Sequence, residues 1–277
     1  RCLLTFSPNT PNGYLSLCYH YIRDNSAEQY FPRILGTSVN EFEKHIEMFS
    51  NHFKLITPSD ALSFSNGDYN FKENEIGLLL TFDDGLSDHY TAAKILAKHG
   101  IKAIFFIPTC ILKDELPANP IIIHYCIAKF GLSSFLIFLK SSLEKNLNNF
   151  NKHMKKFSYI KGNYDEVIQK IKYFFKYELN EKLSRLILLE IYENMFHDKF
   201  PNAMEIMHLT KNQISEMIEM GHSIGTHTHS HISIGTSNLA DDKLNFEIIQ
   251  PKNYIENTFK IKSDFMSYTF GKTIDCL

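Results

Sequence analysis

The stretch LLLTFDDGLSDHY, residues 78–90, decides the fold class. An apolar run that is suited to a buried strand ends in two adjacent carboxylates, Asp83 and Asp84, and Gly85 follows at once. Neighbouring carboxylates repel each other unless a cation or a proton lies between them. A buried strand that ends in this way therefore predicts a site for a positive charge at its C-terminal end.

The segments around this stretch alternate between strand and helix patterns. Residues 76–82 and 101–109 are apolar enough for buried strands, and the helical pattern of 88–99 stops at Gly100, where a C-terminal cap is preferred. Strand, helix and strand in short succession predict a parallel sheet or barrel. Further strands are predicted within 13–22, 55–57, 222–227 and 263–271. Helix starts are predicted at the capping residues Ser38, Thr57 and Thr210.

The middle of the chain has a different pattern. Residues 111–205 are helical in pattern and rich in Lys, Asn and Phe, and the α/β pattern returns after them. We therefore predict a single α/β domain over 1–277 with a helical insertion at 111–205. Between 140 and 182 there are ten lysines against five acidic residues. This excess predicts a solvated helical face, with a basic lid for an anionic substrate as the alternative.

Composition limits the classes of function and location. The 277 residues are 44% hydrophobic and 13% aromatic, which is enough for a sizeable core, and the net charge of -2 gives no reason to expect nucleic acid as a partner. No apolar stretch reaches the roughly 18–20 residues of a membrane span. Five scattered cysteines without CxxC spacing argue against a disulfide framework and a thiolate zinc site. They favour a cytoplasmic location. Export or the cell surface is the alternative, because a chain that starts at Arg1 is read as a fragment or processed form.

Partners for the two carboxylates are found in GTHTHSHIS, residues 225–233. In an extended segment His227, His229 and His231 would share one side, whereas in a helical turn His229 would point away; in both cases His227 and His231 converge. With Asp84 they give two imidazoles, one carboxylate and an open position for water, a set that is typical of catalytic zinc. Asp83 is then a candidate general base. Taken alone, FDDG is often a turn or a helix cap, and HxHxH is a surface tract or an adventitious metal binder.

Three motifs together carry a family resemblance. TFDDG lies at 81–85, HTHSH at 227–231 follows GHSIG at 221–225, and FMSYTFG lies at 265–271. In this combination and order the sequence resembles the polysaccharide deacetylases that carry a NodB-homology domain. The resemblance covers roughly 15–110 and 205–271. It implies a distorted (β/α)-barrel of the NodB-homology type, incomplete at its C-terminus because the usual last two motifs are absent.

The resemblance also implies roles for single residues. Asp83 would be the catalytic base, and Asp84, His227 and His231 would bind a divalent metal, for which zinc is expected. The backbone N–H of Phe270 would contact the oxyanion.

Three departures from the family pattern affect these roles. Thr269 replaces the usual proline, and the third motif lacks the arginine that orients the base in many relatives. The histidine that serves as general acid belongs to the absent last motifs. His20, within LCYHYI, is the candidate substitute, with a structural role as the alternative; His89 and His229 are weaker candidates.

The resemblance implies a metal-dependent hydrolase of carbon–nitrogen bonds other than peptide bonds. We expect it to remove the N-acetyl group of an amino sugar in a polysaccharide or glycolipid precursor. The expected partner is thus an N-acetylated glycan or amino sugar, without nucleic acid. The alternatives are a catalytically impaired relative that binds sugar and metal, and an O-acetyl esterase. The sequence does not predict the oligomeric state.

Overall fold

Five parallel strands form the centre of the structure, a computed structural model. It describes residues 13–24, 31, 34–72, 75–157, 163–196, 199–237 and 239–276, so that Cys2 lies outside the described residues. The strands are β1 Gly13–Tyr19, β2 Lys54–Leu55, β3 Ile76–Phe82, β4 Ile104–Ile107 and β5 Ser223–Thr226. Their order is β1-β3-β4-β5, and β2 pairs with the start of β3. The predicted α/β class is confirmed, whereas closure of the sheet into a barrel stays a prediction.

Strand β3 is buried on both faces, as its continuous apolar sequence predicts. Because side chains alternate along a strand, it contributes to two separate apolar clusters. Leu78, Leu80 and Phe82 belong to the larger cluster, and Leu79 packs with the smaller one on the other face, which includes Ile104. This double burial holds the C-terminal end of β3, and the carboxylates that follow it, in a fixed place.

Three helices accompany the first strands: α1 Val39–His52, α2 Pro58–Ser65 and α3 Asp88–Lys98. The predicted capping boxes are present at the first two, since Ser38 and Thr57 accept hydrogen bonds from the backbone N–H groups of Glu41 and Asp60. Helix α3 ends before Gly100, which has a φ of 70°. Helix bounds here match the sequence pattern within two residues.

The region from 111 to 205 is helical, as predicted, and its buried apolar side chains belong to the same cluster as those of strand β3. Its helices are α4 Cys110–Lys113, α5 Asn119–Phe130, α6 Leu132–Asn146, α7 Phe150–Met154, α8 Tyr164–Tyr173, α9 Glu181–Phe196 and α10 Ala203–Met207. A 3-10 turn, Lys155–Phe157, follows α7, and a π-helical turn, Phe174–Glu178, continues α8. No helix among the described residues is both long and apolar enough to cross a membrane.

The chain then returns to the sheet. Helix α11, Lys211–Glu219, begins with the predicted capping box at Thr210 and leads into β5. It is followed by α12 Asp241–Leu244, a π-helical turn Asn245–Ile249, α13 Gln250–Phe259 and a 3-10 turn Thr273–Asp275.

The segment 263–271, predicted to be a strand that runs into a loop, pairs with the sheet at one residue only. Only Met266 pairs, as an isolated parallel bridge with Thr226 of β5. The ladder stops there because the next residue, Ser267, directs its carbonyl to His227 and its hydroxyl to Asp83. A segment that serves two site residues in this way does not continue as a regular strand.

Candidate metal centre

Three buried side chains meet at the C-terminal ends of β3 and β5. Asp84 Oδ1 lies 2.8 Å from His231 Nε2 and 3.4 Å from His227 Nε2. The two imidazole centroids are 4.9 Å apart. One ligand atom from each of the three residues lies within 4.8 Å of the others. The structure therefore brings together the aspartate and the two histidines that the sequence singled out.

The backbone around this cluster is strained at three non-glycine residues. Asp84, Thr228 and His231 have φ values of 80°, 59° and 57°. Such left-handed conformations cost energy and persist where the surrounding structure imposes them, often at functional sites. The turns place His227 and His231 on the same side and carry His229 away from them. His229 points away, as expected for a helical turn, although left-handed residues rather than a helical turn produce this arrangement.

Hydrogen bonding of His227 leaves a lone pair directed into the cluster. Its Nδ1 lies 3.0 Å from the carbonyl oxygen of Ser267, which can only accept, so Nδ1 carries the hydrogen of the neutral ring. The unprotonated Nε2 then faces the Asp84 carboxylate oxygen at 3.4 Å. Two acceptors at this distance repel each other unless a cation or a proton lies between them.

The ionisation of the clustered side chains points to the same need for a positive charge. Burial works against the charged imidazole of His227, but the carboxylates of Asp84 and Asp83 outweigh it and raise the pKa of His227. Burial likewise opposes ionisation of Asp84, yet His231 and His227 hold the pKa of this carboxyl well below its usual range. The cluster thus holds a negative charge that an excess proton or a cation must balance. Two imidazole nitrogens and one carboxylate oxygen fit a divalent metal such as zinc.

Asp83 lies beside this cluster and has one free oxygen. Its Oδ2 accepts a hydrogen bond from the Ser267 hydroxyl at 3.2 Å, and its buried Oδ1 has no partner among the described residues. Ser267 thus orients Asp83 in a chain that lacks the arginine of many relatives. The free oxygen is placed where it can accept a proton.

The histidines considered as proton donors occupy different environments. His20 is half-exposed, and its Nε2 lies 3.9 Å from Asp84 Oδ2, so it is at the site. His89 is buried and bonds to the carbonyl of His20. His229 bonds to Thr109 and Asp114, at 2.9 Å in both cases, and faces away from the cluster.

A cleft with a volume of about 750 Å³ opens above Asp84 and His231. Phe270 forms part of its wall, with its ring centroid 5.1 Å from that of His231. The backbone N–H of Phe270 donates to no acceptor among the described residues. Much of the remaining wall comes from the helical segment, including His124 of α5 and Lys172 of α8. The segment at 111–205 therefore shapes access to the cluster.

Two side chains brace the histidine loop: Thr228, which lies within the motif itself, and Glu247, which carries no signal in the sequence. The buried carboxylate of Glu247 accepts hydrogen bonds from the backbone N–H groups of His229 and Ser230, at 3.0 and 2.9 Å. The Thr228 hydroxyl accepts one from the N–H of His231 at 3.0 Å. Glu247 could not have been found from spacing, because it lies in a helical stretch and bonds only to backbone groups.

Comparison with known proteins agrees with the motifs. A model of the family described as polysaccharide deacetylase matches residues 191–275, which include the histidine loop. The protein named "Putative polysaccharide deacetylase YxkH", from Bacillus subtilis, is 33% identical over 93 residues, which cover 33% of this chain and 30% of that protein. The match thus spans less than a third of this curated relative.

Two solved structures have a similar fold. The Streptococcus pyogenes deacetylase PplD in complex with acetate gives a TM-score of 0.50 at 15% identity, over 94% of this chain and 76% of that one. IcaB from Ammonifex degensii gives 0.51 at 16% identity, over 96% and 78%. At these identities the likeness concerns the fold alone. Together, the motifs, the family model and the fold confirm the predicted resemblance of this chain to the polysaccharide deacetylases.

Proposed function

We propose that this protein is a metal-dependent deacetylase, a hydrolase of a carbon–nitrogen bond other than a peptide bond. Its substrate is an N-acetylated amino sugar in a polysaccharide or glycolipid precursor. The single observation that carries the proposal is the buried Asp84, His227 and His231 cluster at the floor of an open cleft, with Asp83 beside it. The names of the relatives support the same class of reaction.

Asp84, His227 and His231 would hold the metal, for which zinc fits the donor set. When bound, a divalent metal polarises the acetamide carbonyl and lowers the pKa of the attacking water. Ser267 holds the His227 ring in the tautomer that offers Nε2, through the 3.0 Å contact at Nδ1. Asp83 accepts the proton of the attacking water on its free Oδ1.

The cleft wall supplies the remaining groups. The backbone N–H of Phe270 is free to donate to the oxygen that gains negative charge, a contribution usually worth about 3–4 kcal/mol. His20 lies 3.9 Å from Asp84 and is open to the cleft, so it can give a proton to the departing amine. Such a donor is typically worth about 10²–10⁴-fold in rate.

The test is acetate release from N-acetylated and O-acetylated sugars. We expect the zinc-loaded protein to release acetate from an N-acetylglucosamine oligomer and to lose this activity with a chelator. Asp83→Asn should lower the rate by about 10²–10⁴-fold because it removes the base. Asp68→Asn is the matched control, since Asp68 is exposed in the connection between α2 and β3, and it should have no effect.

Each rival predicts a different result. Binding of zinc and glycan without acetate release would show an impaired relative instead of an enzyme. Release from O-acetylated sugars alone would show an esterase. An unchanged rate in Asp83→Asn would remove Asp83 from the mechanism.

A further inference from the structure

A second group of potential metal ligands lies next to the first. Cys18, His20 and Asp83 each place one ligand atom within 4.8 Å of the others. The Cys18 Sγ and His20 Nδ1 atoms are 4.0 Å apart. None of the three belongs to the Asp84 cluster, and the spacing of the cysteines does not indicate a thiolate site.

The parallel pairing of β1 with β3 explains why these residues converge. Cys18 pairs with Thr81 and Tyr19 with Phe82, so the next residues in register are His20 and Asp83. The hydrogen bond from the Asp83 N–H to the Tyr19 carbonyl, at 3.1 Å, continues this register. Because residues two apart on a strand share a face, Cys18, His20 and Asp83 lie on the same side. Asp84, with its φ of 80°, turns into the other cluster.

The ligand atoms of this group are largely unused. Asp83 Oδ1 is buried without a hydrogen-bond partner among the described residues. The Cys18 thiol makes long contacts, 3.6 Å to the neighbouring carbonyl of Tyr19 and 4.0 Å to His20 Nδ1. Cys18 and His20 are exposed, so an ion can reach them from solvent.

The distances suit a metal that binds sulfur. Zinc lies about 2.3 Å from a thiolate and about 2.0–2.1 Å from an imidazole nitrogen, so one ion can bridge a sulfur and a nitrogen that are no more than about 4.4 Å apart. The observed 4.0 Å between Cys18 and His20 is within this limit. Small rotations of these two exposed side chains would bring the carboxylate oxygen into the same shell. A thiolate, an imidazole and a carboxylate together favour zinc or cadmium over magnesium or calcium.

We propose that Cys18, His20 and Asp83 form a second, inhibitory site for a thiophilic divalent cation. Binding exchanges the thiol proton of Cys18, which is released to solvent, for a metal–sulfur bond. The ion would occupy Asp83 and His20, the base and the candidate acid of the reaction. The inhibitory part rests on the proposed function, whereas binding of the ion does not.

Cadmium titration of the metal-free full chain tests the binding. We expect about two cadmium ions per chain and an ultraviolet thiolate-to-cadmium charge-transfer band, since only the second site contains sulfur. Cys18→Ser should remove the band and leave about one ion per chain. Cys276→Ser, which changes another partly exposed free cysteine, should retain both. A band that persists in Cys18→Ser, or a wild-type chain with one ion and no band, overturns the site.

Acetate release at excess zinc tests the inhibition. The wild type should lose at least about tenfold of its rate between equimolar and excess zinc, because the ion removes a base worth about 10²–10⁴-fold. Cys18→Ser should keep its rate. Equal inhibition of both proteins overturns the inhibitory role. The cadmium band then still tests whether the second site binds an ion. Absence of acetate release under all conditions refutes the proposed function and, with it, the inhibitory role, and leaves the cadmium result standing.

Discussion

Ser267 serves the two halves of the site with different atoms. Its carbonyl fixes the tautomer of His227, and its hydroxyl donates to Asp83 Oδ2 at 3.2 Å. A side-chain substitution can therefore separate its effect on the proposed base, Asp83, from its effect on the proposed metal ligand, His227, because the carbonyl remains.

Ser267→Ala should lower kcat by about 10–100-fold, the range typical for the loss of a residue that orients a catalytic group. We expect KM and the amount of bound zinc to stay unchanged, since the contact to His227 is made by the backbone. Ser267→Thr, which keeps a hydroxyl, should retain most of the activity. Steady-state kinetics with parallel zinc analysis measures these quantities. Loss of zinc together with kcat would contradict the assignment and indicate a general disturbance of the loop.

Single residues of the site divide into those that the sequence predicted and those that it could not. Asp84, His227 and His231 were predictable because metal binding requires particular ligand atoms, and those atoms occur in few side chains. Ser267 and Glu247 were not, because their hydrogen bonds go to one side chain or to backbone groups and impose no spacing. Cys18 was overlooked because one of its two partners, Asp83, follows another strand.

Among the elements, the segment that follows β1 is joined to two helices by the side chain of Arg23. Arg23 forms two hydrogen bonds with Asp88 of α3, at 2.7 and 2.6 Å, and one with the hydroxyl of Tyr125 of α5 at 2.8 Å. Arg23 and Asp88 have only 10% of their side chains exposed. This contact joins the helical segment at 111–205 to the sheet below the cleft.

Arg23→Met should destabilise the fold by about 3–5 kcal/mol, because it leaves the buried charge of Asp88 without its partner. The matched control is Lys54→Met, whose pair with Glu75 is far more exposed, with 40% and 24% of the side chains accessible. We expect little change there, as for most surface pairs. Urea unfolding of both variants gives the comparison. Equal stability of the two variants would mean that Arg23 does not hold these elements together.

The ends of a strand were predictable from the sequence where they coincide with the ends of its buried apolar run. β3 runs from Ile76 to Phe82, as its apolar run predicts, because both faces are covered. β4 is shorter than its apolar run of 101–109, since the remaining apolar residues are buried by packing rather than by pairing. The segment 263–271 pairs through one bridge only, because the carbonyl and hydroxyl of Ser267 are used at the site. A pattern of apolar residues cannot show such contacts.

For the molecule as a whole, buried neutral histidines make stability depend on pH. Burial lowers the pKa of His208 to about 4, although Gly85 accepts a hydrogen bond from its ring. The N–H of Ala118 donates to its other nitrogen, Nε2, at 3.4 Å. Protonation at Nε2 would break this bond, so the folded state resists the proton that the unfolded chain accepts near pH 6.5.

His208 should therefore cost stability as the pH falls from about 6.5 to 4, by about 1.4 kcal/mol for each pH unit in that window. Above pH 6.5 both states are neutral and its contribution is constant. We expect His208→Gln to lose stability less steeply on acidification than the wild type, whereas His99→Gln, at an exposed position, should follow the wild type. Urea unfolding of the metal-free proteins between pH 7 and 4 measures the slopes. Parallel curves for wild type and His208→Gln would refute the prediction.

The arrangement of the whole molecule was predictable only in part. Strand, helix and strand order predicts a parallel sheet, because the helix carries the chain back and the next strand then runs in the same direction. The placement of the helical segment over the cleft was not predictable, because its amphipathic faces show what is buried but not which surface they cover. Lys172 illustrates this: the lysine excess around it predicted a solvated face, yet this residue forms part of the cleft wall.

The helical segment at 111–205 also delays the synthesis of His227 and His231 relative to that of Asp84. Asp84 leaves the ribosome about 140 residues before His227 and His231, and at about 5–20 residues per second this corresponds to roughly 7–28 s. During that interval the nascent chain carries β3 and its two carboxylates without the imidazoles that balance them. Binding of the proposed metal would therefore come late in biosynthesis, after the intervening helices have emerged and had time to collapse against the growing sheet.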